Sequence, residues 1–225
     1  MQDTIKNPLA LSGTKVFTDE NKLVYFLSEK REEKDVLIDF ELTENASLDF
    51  TLVDFSNSDI HLKMNVELKK GARANISIAS LNTNETSKIY EINTNHEESD
   101  GYSRTKMAGI NAGKSILKFL GASYIKNGAH RCDTRQEGKI TNLSKDSKSE
   151  VSPSLLIKEN DVKASHGAAL GAYNENHLFY LMSRGLTMDE SKKLITFGTL
   201  LPIIEEINDE DLLLEAKDAL GALTL

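Results

Sequence analysis

The chain has one cysteine, no tryptophan and three prolines in 225 residues, and each shortage excludes something. A lone thiol, Cys132, cannot form an internal disulfide and suits a reducing compartment. Prolines only at Pro8, Pro153 and Pro202 leave long stretches free to donate the backbone hydrogen bonds that β ladders require. Basic charge is in deficit: 27 Lys and Arg stand against 35 Asp and Glu, for a net charge of −8. That balance argues against nucleic acid, where neutralised phosphates dominate affinity. Apolar runs are short. The longest, such as residues 199–204, fall far below the roughly 20 residues of a membrane span, and mean hydropathy is −0.37. No basic segment followed by an apolar one opens the chain, so no export signal is read. The expectation is a cytoplasmic protein that meets neither nucleic acid nor membrane.

Catalytic signatures are missing as well. There is no G-x-S-x-G and no dinucleotide fingerprint. "NAGKS" at 111–115 is like the end of a phosphate-binding loop, but the glycine due at 108 is Ala108, so the segment reads as a turn. His130 and Cys132, placed on a strand, would share a face. A closed zinc site needs four ligands and no second cysteine exists, so chance composition is the better account. "TRQEGK" at 134–139 reads as a solvated strand end. The acids are many, yet sequence alone pairs none of them.

Alternation is what the chain has in abundance. Segments 36–42, 47–55, 59–68, 73–81, 87–93 and 114–125 exchange apolar and polar residues with period two, the mark of half-buried strands. Between them, Asn45, Gly71, Gly113 and Asp146 are residues that accept tight-turn backbone. Their spacings of 26, 42 and 33 make a loose recurrence. Stacked coils of a β-solenoid would produce it, because each coil buries its inner face only against its neighbours. A β-sandwich predicts much the same alternation, and on pattern alone both stand.

After residue 170 the period changes. "NENHLFYLMSRG" sets Leu178, Leu181 and Met182 on one helical face, with Asn174 as N-cap and Gly185 as stop. Thr187 and Glu190 form a capping box for a second helix with an apolar stripe of Leu194, Ile195 and Leu201, which Pro202 should kink or end. A third begins near Asn208 and ends near Gly221. Among the histidines, His61 and His96 have no sequence partners and His177 falls in the first turn of a helix. His166 sits in a run of small residues at the junction of the two regions.

The junction carries a resemblance. Pro153, Leu155, Ile157, Asp161, Val162, His166, Gly167, Ala168, Gly171, then Leu178, Phe179, Tyr180, Leu181, Ser183, Arg184 and Gly185 follow one order. That order resembles the C-terminal signature of the SufB/SufD family of iron–sulfur cluster assembly proteins. The His-Gly-Ala form is similar to the SufD branch, although a cysteine common there two residues before the histidine is Ala164 here. The resemblance implies a mainly β fold, a right-handed parallel β-helix (solenoid), followed by a small C-terminal α-helical region. The division expected is a β-helix core over 1–170 and an ATPase-docking helical region over 171–225. Family members carry an additional N-terminal helical segment, which is expected to be absent or reduced here.

It further implies a non-catalytic scaffold subunit of the SUF system with no catalytic residue of its own. The partners implied are a SufB-like subunit, or a second copy of the chain, and a SufC-type ABC ATPase that hydrolyses ATP. His166 maps to the cluster-assembly interface and is the one metal-ligating residue implied. Leu178, Phe179, Tyr180, Leu181, Ser183, Arg184 and Gly185 map to ATPase docking. No tightly bound cofactor is implied, only iron or a transient iron–sulfur cluster at the subunit interface. Two other readings remain: a carbohydrate-active β-helix enzyme, and a self-pairing homodimer of the same fold.

Overall fold

The computed structural model describes residues 2–222, so Met1 and the last three residues of the 171–225 region lie outside the described residues. Thirteen strands come first: β1 (Gln2–Lys6), β2 (Gly13–Phe17), β3 (Glu20–Leu27), β4 (Asp35–Leu42), β5 (Ser47–Asp54), β6 (Ile60–Leu68), β7 (Arg73–Asn82), β8 (Ser87–His96), β9 (Tyr102–Asn111), β10 (Ile116–Ile125), β11 (Asp133–Asn142), β12 (Lys148–Ile157) and β13 (Lys163–Ala172). Three helices follow: α1 (Glu175–Ser183), α2 (Met188–Ile204) and α3 (Glu210–Gly221).

Odd strands form one parallel sheet in the order β1-β3-β5-β7-β9-β11-β13 and even strands a second, β12-β10-β8-β6-β4-β2. The chain passes from one sheet to the other at every turn, making a solenoid of about six coils. No sandwich of hairpins gives that order. Between the sheets lies an apolar core, with Phe40, Phe50, Leu62, Ile76, Tyr90 and Phe119 among its members. Gly109 and Gly138 keep the interior thin: a Cβ on Gly109 would lie 2.8 Å from Phe119 Cζ, and one on Gly138 would lie 2.6 Å from Val151 Cγ1.

Two corners explain the uneven turn spacing. At one, Asn45, Gly71, Asp100 and Arg131 stack with φ of 60, 67, 66 and 57°, a period of 26, 29 and 31 residues. The backbone N–H of each reaches the next coil: Asn45 to the Lys70 carbonyl (2.9 Å), Gly71 to Ser99 (3.0 Å), Asp100 to His130 (2.9 Å) and Arg131 to Asp161 (2.6 Å). Gly113 belongs to the opposite corner, above Asn84, which has φ of 65°. The expected spacing of 42 therefore crossed from one corner to the other. Asp146 lies in the β11–β12 turn without left-handed backbone.

The helices cover the outside of the odd sheet. Its strands alternate at first and then bury both faces: β7 reads exposed, buried, exposed, then buried through to Asn82. Outward Val24, Phe26, Val53, Ala79, Leu81 and Ile110 meet Leu200, Ile203, Ile204, Ile207, Ala216 and Leu220. Each such side chain contributes about 1.5–3 kcal/mol on full burial. The caps form as expected: Asn174 accepts from Asn176 and His177 N–H, and Thr187 with Glu190 completes its capping box. The stripe of α2 is shifted. Leu194 is 51% exposed, while Thr196, Leu200, Ile203 and Ile204 are buried. Helix α2 also runs through Pro202 to Ile204, so the proline falls in its last turn, where it costs one ladder bond and the helix ends two residues later.

Candidate functional site

The solenoid ends in an uncovered coil. β13 pairs only with β11 and β12 only with β10, so both strands present an unpaired edge at the same end. All ten residues of β13 are exposed. Leu170 and Leu156 there are 50% and 56% exposed. Edges of this length are ordinarily blunted or paired.

His166 lies in that strand, exposed, with Gln136 of β11 as its register partner. The file beneath it runs Leu23, Phe50, Ile76, Thr105, Gln136, and its apolar members belong to the inner core. His166 therefore occupies an inward-facing position with no coil above it. Ala164 stands beside it on the file over Thr134 and Ser103. Among the described residues, no group of three or more His, Cys, Asp or Glu gathers to hold a metal. His166 can offer iron one nitrogen, and further ligands would come from elsewhere.

Below the mouth the interior turns polar. Thr134 Oγ1 donates to Ser123 Oγ (2.8 Å), as does Gln136 Nε2 (2.8 Å), and Ser123 bonds Thr94 Oγ1 at 2.9 Å. Ser103 Oγ lies 2.7 Å from Thr134 Oγ1 and 2.9 Å from His96 Nε2. Ser103 Oγ also reaches Thr94 Oγ1 at 3.5 Å, so the four hydroxyls and the imidazole form one connected network. His96 Nδ1, the other ring nitrogen, is buried and without a partner. Burial pushes the His96 pKa down to about 4, against the weaker opposing charge of Asp133.

His130 and Cys132 do not share a strand face. They lie in the β10–β11 turn, with Arg131 left-handed between them. His130 is exposed with Nδ1 3.4 Å from Glu159 Oε2, and Cys132 is buried with its thiol on the Glu98 carbonyl (3.3 Å). Burial raises the thiol pKa. "TRQEGK" is likewise no solvated end, since Thr134 and Gln136 are 1% exposed.

One buried cluster escaped the sequence. Lys88 Nζ donates to Asp54 Oδ1 (2.8 Å) and to the carbonyls of Leu81 (3.0 Å) and Asp54 (3.3 Å), and Tyr90 OH donates to Asp54 Oδ2 (2.7 Å). All three are fully buried. Burial lowers the lysine pKa, against Asp54, and raises that of the tyrosine well above its usual value. With every Lys88 proton matched and no opening to solvent, the cluster is a cross-brace between the sheets. Its only sequence signal was a lysine on an inward position.

The second exposed feature is α1. Phe179, Tyr180 and Met182 are 75%, 55% and 42% exposed, while Leu178 is buried and Leu181 half-buried. The Arg184 guanidinium lies 5.2 Å from the Tyr180 ring centre, Ser183 Oγ donates to the Tyr180 carbonyl (2.7 Å), and Gly185 stops the helix with φ of 96°. Of the seven signature residues here, five are therefore exposed, and Leu178 and Leu181 are not.

Residues 12–199 match the family model described as the SUF system FeS cluster assembly, SufBD core domain. The chain belongs to the SufBD core family. It is SufD-like: 37% identical over 89 residues to the iron–sulfur cluster assembly protein SufD of Bacillus subtilis, covering 40% of this chain and 20% of that protein. It is 26% identical over 144 residues to SufD of Escherichia coli, covering 63% and 34%. A SufBD-family iron–sulfur cluster assembly protein of Pyrococcus horikoshii is 32% identical over 109 residues, covering 44% and 23%. The chain thus spans about a fifth to a third of the length of these relatives. Strands β2–β13, α1 and most of α2 lie within the matched span, and the carbohydrate-active reading has no support left. No described helix is long and apolar enough to cross a membrane.

Proposed function

We propose that this chain is a scaffold subunit of an iron–sulfur cluster assembly complex, itself non-catalytic. It pairs through the open end of its solenoid with a SufB-like subunit and carries a SufC-type ABC ATPase on its C-terminal helices. The observation that supports the pairing is β13, a ten-residue strand bonded on one side and exposed throughout. A second solenoid presenting a like edge would satisfy its backbone groups by strand addition. The apolar face of α1 is suited to a protein partner, since aromatic and methionine side chains are enriched where interfaces form.

His166 lies between the two contacts, seven residues before Tyr173 leads into α1. A movement of the ATPase against α1 and α2 would reach the mouth through that short link. Iron or a nascent cluster is the substrate of the assembly, and a neutral imidazole at the mouth is a competent ligand for it. A pull-down from the native cell tests the reading. An ABC ATPase recovered together with a SufB-like protein supports it; recovery of neither sinks it. A chain that recovers the ATPase and only itself would replace the heterodimer by a homodimer.

A further inference from the structure

The inward file ending at His166 is apolar up to Ile76 and polar beyond it: Thr105, Gln136, His166. Two of these polar side chains carry a buried atom with no hydrogen-bond partner, Thr105 Oγ1 and Gln136 Oε1. The Gln136 amide is anchored at its nitrogen, which donates to Ser123 Oγ at 2.8 Å. Ser123 is held in turn by Thr134 and Thr94. The carbonyl oxygen is left as a buried acceptor just inside the mouth, and a buried acceptor without a donor is costly. Gly121 on the opposite strand gives it room, since a Cβ there would lie 3.3 Å from Oε1.

The coil that holds Gln136 supplies no donor, and the next rung holds His166. That imidazole is exposed and makes no hydrogen bond to the described residues. Adjacent strands stand about 4.8 Å apart, and the two residues are register partners on the same file, a separation that a side-chain hydrogen bond can span. Of its two ring nitrogens Nδ1 is the nearer to the backbone, and so to the neighbouring rung.

We propose that Gln136 is the positioning residue of His166: Gln136 Oε1 accepts a hydrogen bond from Nδ1–H of His166 and so selects that tautomer. Nε2 is then a bare nitrogen directed out of the mouth, the form that ligates a metal or takes a proton. The value of this arrangement rests on the assembly reading of His166. The tautomer itself is a property of the free chain.

Nitrogen-15 NMR of the imidazoles tests it on the monomeric fraction of the 225-residue chain, with His166 assigned by the signals lost in His166→Asn. Wild type should show Nδ1–H. Gln136→Leu should shift His166 toward Nε2–H, because the acceptor that selects Nδ1–H is gone. Gln136→Glu keeps an acceptor and should retain Nδ1–H. An Nε2–H ring in wild type overturns the assignment, as does an unchanged tautomer in Gln136→Leu. If Gln136→Leu does not fold, wild type and Gln136→Glu still decide. A correct tautomer with no partner recovered from cells defeats the assembly reading alone, and the reverse result defeats this assignment alone.

Discussion

Lys88 and Asp54 form an ion pair of 2.8 Å with both side chains fully buried between the two sheets. It joins the second half of the odd strand β5 to the start of the even strand β8, and Tyr90 and Ser56 complete the shell of the carboxylate. Removing one partner leaves a charge stranded in the core. Lys88→Met alone should cost about 3–5 kcal/mol, and Asp54→Asn in the same chain should restore much of it. Denaturant titrations of the two singles and the double measure the coupling. Additive losses would mean the pair does not act as a unit.

His96 makes stability depend on pH. Its folded pKa of about 4 lies below the ordinary 6.5, so below 6.5 the unfolded chain binds the extra proton. The neutral ring's contribution is intact above pH 6.5 and is lost as pH falls through the interval toward 4. That loss amounts to about 3 kcal/mol at most. His96→Gln should flatten the pH dependence of the unfolding midpoint between those values. A slope unchanged in the variant would assign it to other groups.

Gly113 should tolerate no side chain. Its φ is 73°, and a Cβ would lie 2.5 Å from the Asn84 carbonyl oxygen of the coil below. Gly113→Ala should destabilise the fold by about 1–3 kcal/mol through strain and contact together, read as a lowered thermal midpoint. At Gly128, also left-handed with φ of 89°, a Cβ meets nothing within 4 Å, so Gly128→Ala should cost less. Equal losses at both positions would contradict the stacked-corner geometry.

The face of α1 should separate docking from folding. Phe179→Ser with Tyr180→Ser replaces exposed groups and should leave the thermal midpoint nearly unchanged, yet remove the ATPase from the pull-down. Ile203→Ala, on the buried face of α2, should instead cost about 2–5 kcal/mol. An ATPase retained by the first variant would place docking elsewhere.

The legible parts of the chain are those where one face meets solvent. β6 alternates cleanly because its inner residues are apolar and its outer ones are not, and β4 departs from this only at the exposed Leu37. β9 and β11 were illegible as strands, since their interior positions are Ser103, Thr105, Thr134 and Gln136. The second halves of β5 and β7 lose alternation because helices cover the outer face. Caps were readable, being local chemistry. The buried side of α2 was not, because Thr196 faces inward where Leu194 does not. His166 was legible only through its motif; that Gln136 stands beneath it is a matter of strand register, which no periodicity in "TRQEGK" announces.

Site-specific photo-cross-linking in the native cell tests the scaffold account most directly. A probe replacing Ser165, on the exposed edge of β13, should join a SufB-like subunit, and one replacing Phe179, on α1, should join an ABC ATPase. Capture of neither, or of the same partner at both positions, would contradict the account.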